Sequence, residues 1–235
     1  DVKTLLNDLI DRYGYDFTGY AEASLKRRIN RLFELDRFSS FAEFRFRILN
    51  DAEYFRRLVE ELTVNITEML RDPLFYKTLR KEVIPLLATY PFIPIWHAGC
   101  STGEEVYSLA ILLKEANLLH KSRLYATDIN PKVLEKAKKG IFPASQMRKY
   151  SENYIQAGGK SDFSSYYTSN YNLAKFDVRL NEKMIFATHN LVSDSSFNEF
   201  QLILCRNTLI YFNRDLQSRV LELFDNSLET LGFLA

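Results

Sequence analysis

Between residue 2 and about residue 90, apolar positions recur every three to four places, which predicts a run of amphipathic helices with almost no strand signal. Leu5, Leu6, Leu9, Ile10 and Tyr13 form one stripe, and Gly14 ends it. Leu25, Ile29, Leu32 and Phe33 form a second, with Lys26, Arg27, Arg28 and Arg31 on its other faces. Ser40-x-x-Glu43 has the form of a capping box opening a third helix lined by Phe44, Ile48 and Leu49. Glu53 to Glu61 predicts a fourth, and Pro73 is well placed to start another.

From Ile93 the pattern changes. Ile93 to Ala98 is an apolar run of strand length, Gly99 and Gly103 mark a turn, and Tyr107, Ala110, Ile111 and Lys114 follow at helical spacing. Leu124 to Asp128 predicts a second strand, followed by a helix from Pro131 to Lys139 that Gly140 stops. Met184 to His189 and Gln201 to Cys205 predict two more strands. Arg214 to Leu231 reads as a long amphipathic helix with Leu216, Val220, Leu223, Phe224 and Leu228 on one side. Alternating strands and helices predict a mostly parallel α/β sheet with right-handed crossovers. A ligand crevice in such a sheet lies at the carboxyl ends of its strands, where Gly99, Asp128, Asn190 and Arg206 are expected.

Residues 150 to 183 break this rhythm. The stretch holds Gly158-Gly159 and the run Ser164 to Asn172, a composition that suits a small antiparallel insertion or a mobile aromatic surface rather than a helix. The expected organisation is a helical domain over 1–62, a linker and helix over 63–92, and a sheet domain over 93–235 with the insertion at about 150–183. Partner recognition is the expected role of the insertion.

The glycine turn lets the backbone approach a ligand closely, and the helix after it offers unpaired N–H groups. Glu104 and Glu105 follow Gly103, where a phosphate binder needs Lys-Ser/Thr; two carboxylates stabilise the helix start but repel phosphate. A nucleoside without phosphate is the ligand this demands, and S-adenosylmethionine, which carries a sulfonium and an ammonium group, fits. An ordinary βα turn with two capping acids remains the alternative. Asp128 follows the turn by about two dozen residues, where a doubly wound fold places the acid that accepts both ribose hydroxyls; a helix N-cap is its plainer role. In Asn65-Ile-Thr67-Glu-Met-Leu-Arg71-Asp-Pro73, local capping would explain Asn65 and Thr67 but not Arg71.

Bulk composition narrows the class. The 235 residues are 46% hydrophobic and 26% charged with net charge +1, a globular profile without a global field for nucleic acid or an anionic membrane. Two cysteines, Cys100 and Cys205, make no disulfide scaffold, so a reducing cytoplasm is expected. No apolar run has transmembrane length. Asp1 in place of Met and the strand-like end Leu231 to Ala235 lead to the expectation that sequence belonging to the fold is missing at the C-terminal side. A zinc site from His97, Cys100, His189 and Cys205 is conceivable, but their spacing matches no compact motif. A nucleic-acid amino-methylating enzyme would carry an Asn/Asp-Pro-Pro-aromatic run where Arg206-Asn207-Thr208 stands.

Five ordered motifs together resemble one family. They are Asn65-x-Thr67-x-x-x-Arg71-Asp, Gly99-Cys-Ser-Thr-Gly-Glu-Glu-Val-Tyr-Ser108, Ala126-Thr-Asp-Ile129, Asn190-Leu191 and Cys205-Arg-Asn-Thr-Leu-Ile-Tyr-Phe212. The chain in this respect is similar to the CheR-type chemotaxis receptor methyltransferases. The resemblance implies a Rossmann-like S-adenosylmethionine-dependent methyltransferase fold with helices on both faces of the sheet, an N-terminal all-helical domain and a small inserted β-subdomain. It implies methyl transfer from S-adenosylmethionine to glutamate side chains of a chemoreceptor-like protein, leaving S-adenosylhomocysteine. It places the cofactor against Asn65, Thr67, Arg71, Glu105, Asp128, Asn190, Leu191, Arg206 and Asn207, beside the turn at Gly99, with Arg71 and Tyr211 near the transferred methyl. It makes the basic face of Lys26, Arg27, Arg28 and Arg31 and the 150–183 insertion the surfaces that meet the protein substrate, with no metal and no nucleic acid. Met69-Leu70, Val106 and the long Tyr/Asn-rich insertion depart from the family pattern, and the last of these leaves open the tail-peptide recognition and the receptor as substrate; a separate alternative is a catalytically silent module that binds the cofactor or its product as a signal.

Overall fold

The computed structural model describes residues 2–63 and 67–235. Helices α1 (Val2–Tyr13), α2 (Glu22–Leu35), α3 (Phe41–Asn50), α4 (Ala52–Leu62), α5 (Pro73–Thr78) and α6 (Ile84–Leu87) come first, the last two joined by a π-helical stretch, Leu79–Val83. Strand β1 (Ile93–Ala98), helix α7 (Glu104–Glu115), β2 (Ser122–Asp128) and α8 (Pro131–Lys139) follow as the pattern predicts. Then come β3 (Ile141–Pro143), α9 (Met147–Gln156), β4 (Tyr167–Asn170), β5 (Leu173–Phe176) and α10 (Val178–Asn181). The chain continues through β6 (Met184–Thr188), β7 (Phe200–Leu204), α11 (Arg214–Asp225) and β8 (Leu228–Leu234).

Two compact units emerge. One holds Asp1–Asn65, Asn190–Ser196 and Asn207–Asp225; the other holds Ile66–His189, Phe197–Arg206 and Asn226–Ala235. In the first, Leu5, Leu9, Leu25, Ile29, Phe44, Ile48 and Leu58 are buried as their helical spacing predicts. Tyr13 stacks on Phe55 with ring centroids 3.8 Å apart, and Phe33, Phe38, Phe44 and Tyr54 meet edge to face. Ser40 caps α3 by accepting the Glu43 amide at 3.2 Å, but the return half of the capping box is displaced. The Glu43 carboxylate accepts from the amide and hydroxyl of Ser39, at 3.2 and 2.6 Å, one residue earlier than the motif places it.

In the second unit the five-stranded sheet has the order β6-β2-β1-β7-β8, and every neighbouring pair is parallel. Every residue of β1 is buried, which is why the central strand reads as an unbroken apolar run. Ile93 and Ile95 pack with the almost wholly buried α7, and Trp96 packs in an aromatic cluster with Phe197 and Phe200. Strand order reverses between β1 and β7, so the switch point lies after Ala98 and Leu204.

Two boundaries depart from the sequence reading. The last helix stops at Asp225, and Leu228, expected on its apolar stripe, instead pairs with Phe200 as the first residue of β8. A register shift between Phe200 and Leu202, with Leu231 at φ 66°, breaks the alternation that would have betrayed the strand. The insertion is antiparallel as expected, but its three-stranded sheet, β3-β5-β4, recruits Ile141–Pro143 from before residue 150. Its first turns are helical, because α9 buries Met147, Tyr150, Asn153 and Tyr154 at helical spacing.

Candidate functional site

The turn after β1 is built by the end of β2. The amides of Gly99 and Cys100 both donate to the Thr127 carbonyl, at 2.8 and 2.9 Å, and the Gly103 amide donates to the Cys100 carbonyl at 3.0 Å. Gly99 and Gly103 take φ values of 77° and 94°, a conformation that side chains rarely adopt. A Cβ on Gly103 would stand 2.9 Å from that of Ala137, so α7 and α8 meet only because this position is bare.

Asp128 ends β2 as a buried carboxylate. Its Oδ2 accepts the Ser101 amide and its Oδ1 the Asn130 amide, each at 2.9 Å. Burial pushes its pKa up against the pull of those amides and that of Ile129. The same acid thus steadies the glycine turn and starts α8, whose N-cap is Asn130. Beside it, the buried Ser101 Oγ and Asn130 Nδ2 have no hydrogen-bond partner among the described residues. Buried polar atoms left so ask for a ligand with hydroxyl or ring-nitrogen partners. A ribose and its base supply both, so the donor set fits an adenosyl group.

On α7, burial raises the pKa of Glu104, against the pull of the Thr102 hydroxyl 2.6 Å away. Glu105 Oε1 lies 3.0 Å from Nδ1 of His97, a fully buried residue of β1 whose Nε2 has no hydrogen-bond partner among the described residues. In the sequence His97 entered only as a conceivable zinc ligand; no cluster of ligand type suited to a metal occurs among the described residues.

Arg71 lies in a turn flanked by two strained residues, Leu70 at φ 54° and Asp72 at φ 59°. Non-glycine residues in this conformation cost on the order of 1–3 kcal/mol each. Three long-range contacts offset that cost. Ser108 Oγ on α7 accepts the Leu70 amide at 2.9 Å, and Asn153 Nδ2 on α9 donates to the Met69 carbonyl at 2.9 Å and to the Glu68 carboxylate. Arg206, after β7, donates from Nη1 to the Arg71 carbonyl at 3.0 Å and from Nη2 to Asp72 at 2.5 Å. Sequence reasoning assigned Arg206 but missed Ser108 and Asn153; a buried Ser inside the apolar α7 was the one available signal.

Within the sheet unit, therefore, Gly99, Glu105, Asp128 and Arg206 all occupy carboxyl-end positions, and Arg206 ties the Arg71 turn to the end of β7. Thr67 is half-buried just before that turn. Asn65 lies outside the described residues. Asn190, Leu191, Asn207 and Tyr211 belong to the helical unit. There Asn190 Oδ1 accepts the Val192 amide at 3.0 Å, Asn207 is exposed at φ 59°, and the Tyr211 carbonyl accepts the Ala21 amide at 2.9 Å.

Comparison with known proteins bears on this arrangement. Residues 65–235 match the family model described as CheR methyltransferase, SAM binding domain, and residues 1–63 match its all-alpha domain. A Pseudomonas putida protein named Cher3 is 49% identical over 237 residues, covering all of this chain and 86% of that protein. The chemotaxis protein methyltransferase of Listeria innocua is 29% identical, covering 94% of this chain and 82% of its own. The chemotaxis protein methyltransferase 2 of Pseudomonas aeruginosa is 31% identical, covering 88% and 76%.

Proposed function

The chain belongs to the CheR methyltransferase family and is an S-adenosylmethionine-dependent protein-glutamate methyltransferase, and we propose that it methylates glutamates on a chemoreceptor-like signalling protein in the cytoplasm. The observation that carries the cofactor assignment is the buried Asp128, tied to the Ser101 amide at 2.9 Å beside buried polar atoms without a partner among the described residues. Relatives named as chemotaxis methyltransferases support the receptor substrate.

When bound, S-adenosylmethionine supplies a methyl group on a sulfonium, which is a good leaving group. The chain's residues bind and orient. Asp128 would accept hydroxyls of the bound ribose, and Glu105, held by His97, would supply negative charge for the cationic groups of the cofactor. The resemblance adds Asn65, Thr67, Asn190, Leu191, Arg206 and Asn207 as further cofactor contacts. A glutamate carboxylate has a reference pKa near 4.3 and is ionised at neutral pH, so no general base is needed. The remaining task is alignment, for which orientation can supply about 7–11 kcal/mol in favourable cases. By the resemblance, Arg71 would steady either the incoming carboxylate or that of the cofactor, and the Tyr211 hydroxyl would steady the incoming carboxylate. The basic face of α2 and the antiparallel insertion receive the protein substrate.

Calorimetric titration with S-adenosylmethionine and S-adenosylhomocysteine, repeated on Asp128→Ala, tests the pocket. Micromolar binding lost in the variant supports it; equal affinity in the variant removes Asp128 from the site. Transfer of labelled methyl to a receptor cytoplasmic fragment, as base-labile ester, tests the substrate. Label that appears only on another protein class overturns that assignment.

A further inference from the structure

The turn that carries Arg71 is not one its own sequence favours. Leu70 and Asp72 both sit at positive φ, at 54° and 59°; an aspartate tolerates this, but a leucine has no local hydrogen bond to favour it. Left to itself, this stretch would relax toward extended backbone and carry Arg71 with it. It is held from outside, by side chains distant in sequence.

Ser108 is wholly buried on α7, where its hydroxyl donates to the Glu104 carbonyl at 2.6 Å and accepts the Leu70 amide at 2.9 Å. The hydroxyl thereby satisfies the amide of the strained residue itself. Asn153, also buried, projects from α9, and its one amide nitrogen bridges the Glu68 carboxylate and the Met69 carbonyl. Glu68, Met69 and Leu70 are therefore fixed in succession before Arg71 begins. Neither residue is on a strand end or the glycine turn.

We propose that Ser108 and Asn153 are positioning residues that hold the left-handed turn through which Arg71 is presented. The proposal rests on the functional reading of Arg71 given above. It makes α9, which lies between β3 and β4 of the antiparallel unit, a support of the methyl-transfer apparatus as well as a neighbour of the partner surface.

The test joins a substrate-free measurement to a double-mutant cycle. Amide hydrogen exchange at Leu70, followed on the unliganded protein, should accelerate at least tenfold in Ser108→Ala while the thermal midpoint moves little. The affinity for S-adenosylhomocysteine and labelled methyl transfer to the receptor fragment are then compared in Arg71→Ala, Ser108→Ala, Asn153→Ala and the two pairings with Arg71→Ala. Whichever parameter Arg71→Ala lowers should fall at least fivefold in each single variant and fall no further in the pairings. Ser108→Thr, which keeps the hydroxyl, should restore it. Additive losses, or single variants that behave as wild type while Arg71→Ala is impaired, overturn the positioning role and leave Arg71 standing. An Arg71→Ala protein with unchanged affinity and turnover overturns the reading of Arg71 itself, and the positioning role with it. Should Ser108→Ala fold poorly, Ser108→Cys keeps the volume with a weak acceptor and is read by the same criteria.

Discussion

Arg206 grips Arg71 by the main chain, its Nη1 donating to the Arg71 carbonyl at 3.0 Å. The same guanidinium reaches Asp72 at 2.5 Å and lies 4.1 Å over the Phe75 ring. A planar fork does all three things at once, and an ammonium cannot. Arg206→Lys should therefore lose about 1–3 kcal/mol of stability in denaturant titration and at least tenfold in methyl transfer. Full activity in the lysine variant would show that a single positive charge suffices there.

Asp128 presents the opposite case, an acid that an amide can replace only by half. Asp128→Asn keeps an oxygen for one of the two backbone amides but turns an NH2 toward the other, which should cost about 1–3 kcal/mol of stability. Hydrogen bonds to a charged acceptor are worth about 1.5–3 kcal/mol, so cofactor affinity should fall roughly 10- to 100-fold, with the thermal midpoint lowered by a few degrees. Calorimetry and a melting curve on the same sample separate the two effects.

Legibility in the sequence followed the range of the forces involved. β1 and its turn could be read because a strand buried on both faces is a run of apolar residues and its turn needs glycine. The Arg71 turn could not be read. Its left-handed residues are Leu and Asp, and the hydrogen bonds that stabilise it come from 38 and 84 residues away, beyond any local pattern. β8 was hidden for a third reason, since Leu228 and Leu231 fit helical spacing while the bulge at Leu231 destroys strand alternation. Arg71 and Arg206 were each recognised as site candidates, yet only the structure shows that one holds the other.

Glu115, at the end of α7, carries a different prediction. Its nearly buried carboxylate accepts from the hydroxyls of Tyr154 and Tyr166 and from the Lys160 amide, and it pairs with Arg80 at 2.5 Å. Burial raises its pKa, but these hydrogen bonds and Arg80 outweigh burial and hold it below the ordinary carboxylate value. A lowered folded-state pKa stabilises the protein above the unfolded carboxylate pKa, and the contribution is lost as pH falls through the folded value. Glu115→Gln leaves the largely buried Arg80 without its counter-charge and, among the described residues, with only the Ala157 carbonyl as acceptor, so it should cost about 2–3 kcal/mol at pH 7. The gap between variant and wild type should narrow as pH drops below about 4.3, the ordinary glutamate value, in urea titrations at stepped pH.

Asp177 isolates the same sign in a milder setting. It caps α10 by accepting the Arg179 amide, and the Arg179 guanidinium beside it holds its pKa down at about 2. Asparagine caps a helix equally well, so Asp177→Asn removes only the charge. Arg179 is largely exposed, which limits the pair to about 1 kcal/mol or less. That difference should persist down to about pH 4 and vanish as pH approaches 2, where the wild-type carboxyl is itself protonated.

On α2 the four basic residues are not equivalent. Lys26 pairs with Glu22 at 2.5 Å, Arg28 donates to the Glu61 carbonyl at 3.0 Å, and Arg31 pairs with Glu61 at 3.2 Å. Arg27 is exposed and makes no ion pair or side-chain hydrogen bond among the described residues. A cation already satisfied within its own unit must break that contact to serve a partner, whereas Arg27 can meet an acidic receptor surface at no such cost. Arg27→Glu should therefore raise the KM for a receptor fragment several-fold at low salt and leave S-adenosylhomocysteine affinity unchanged. The defect should shrink as ionic strength rises, because screening weakens an exposed charge on both sides of the comparison. A KM that stays at the wild-type value at every salt concentration would take Arg27 out of the docking surface.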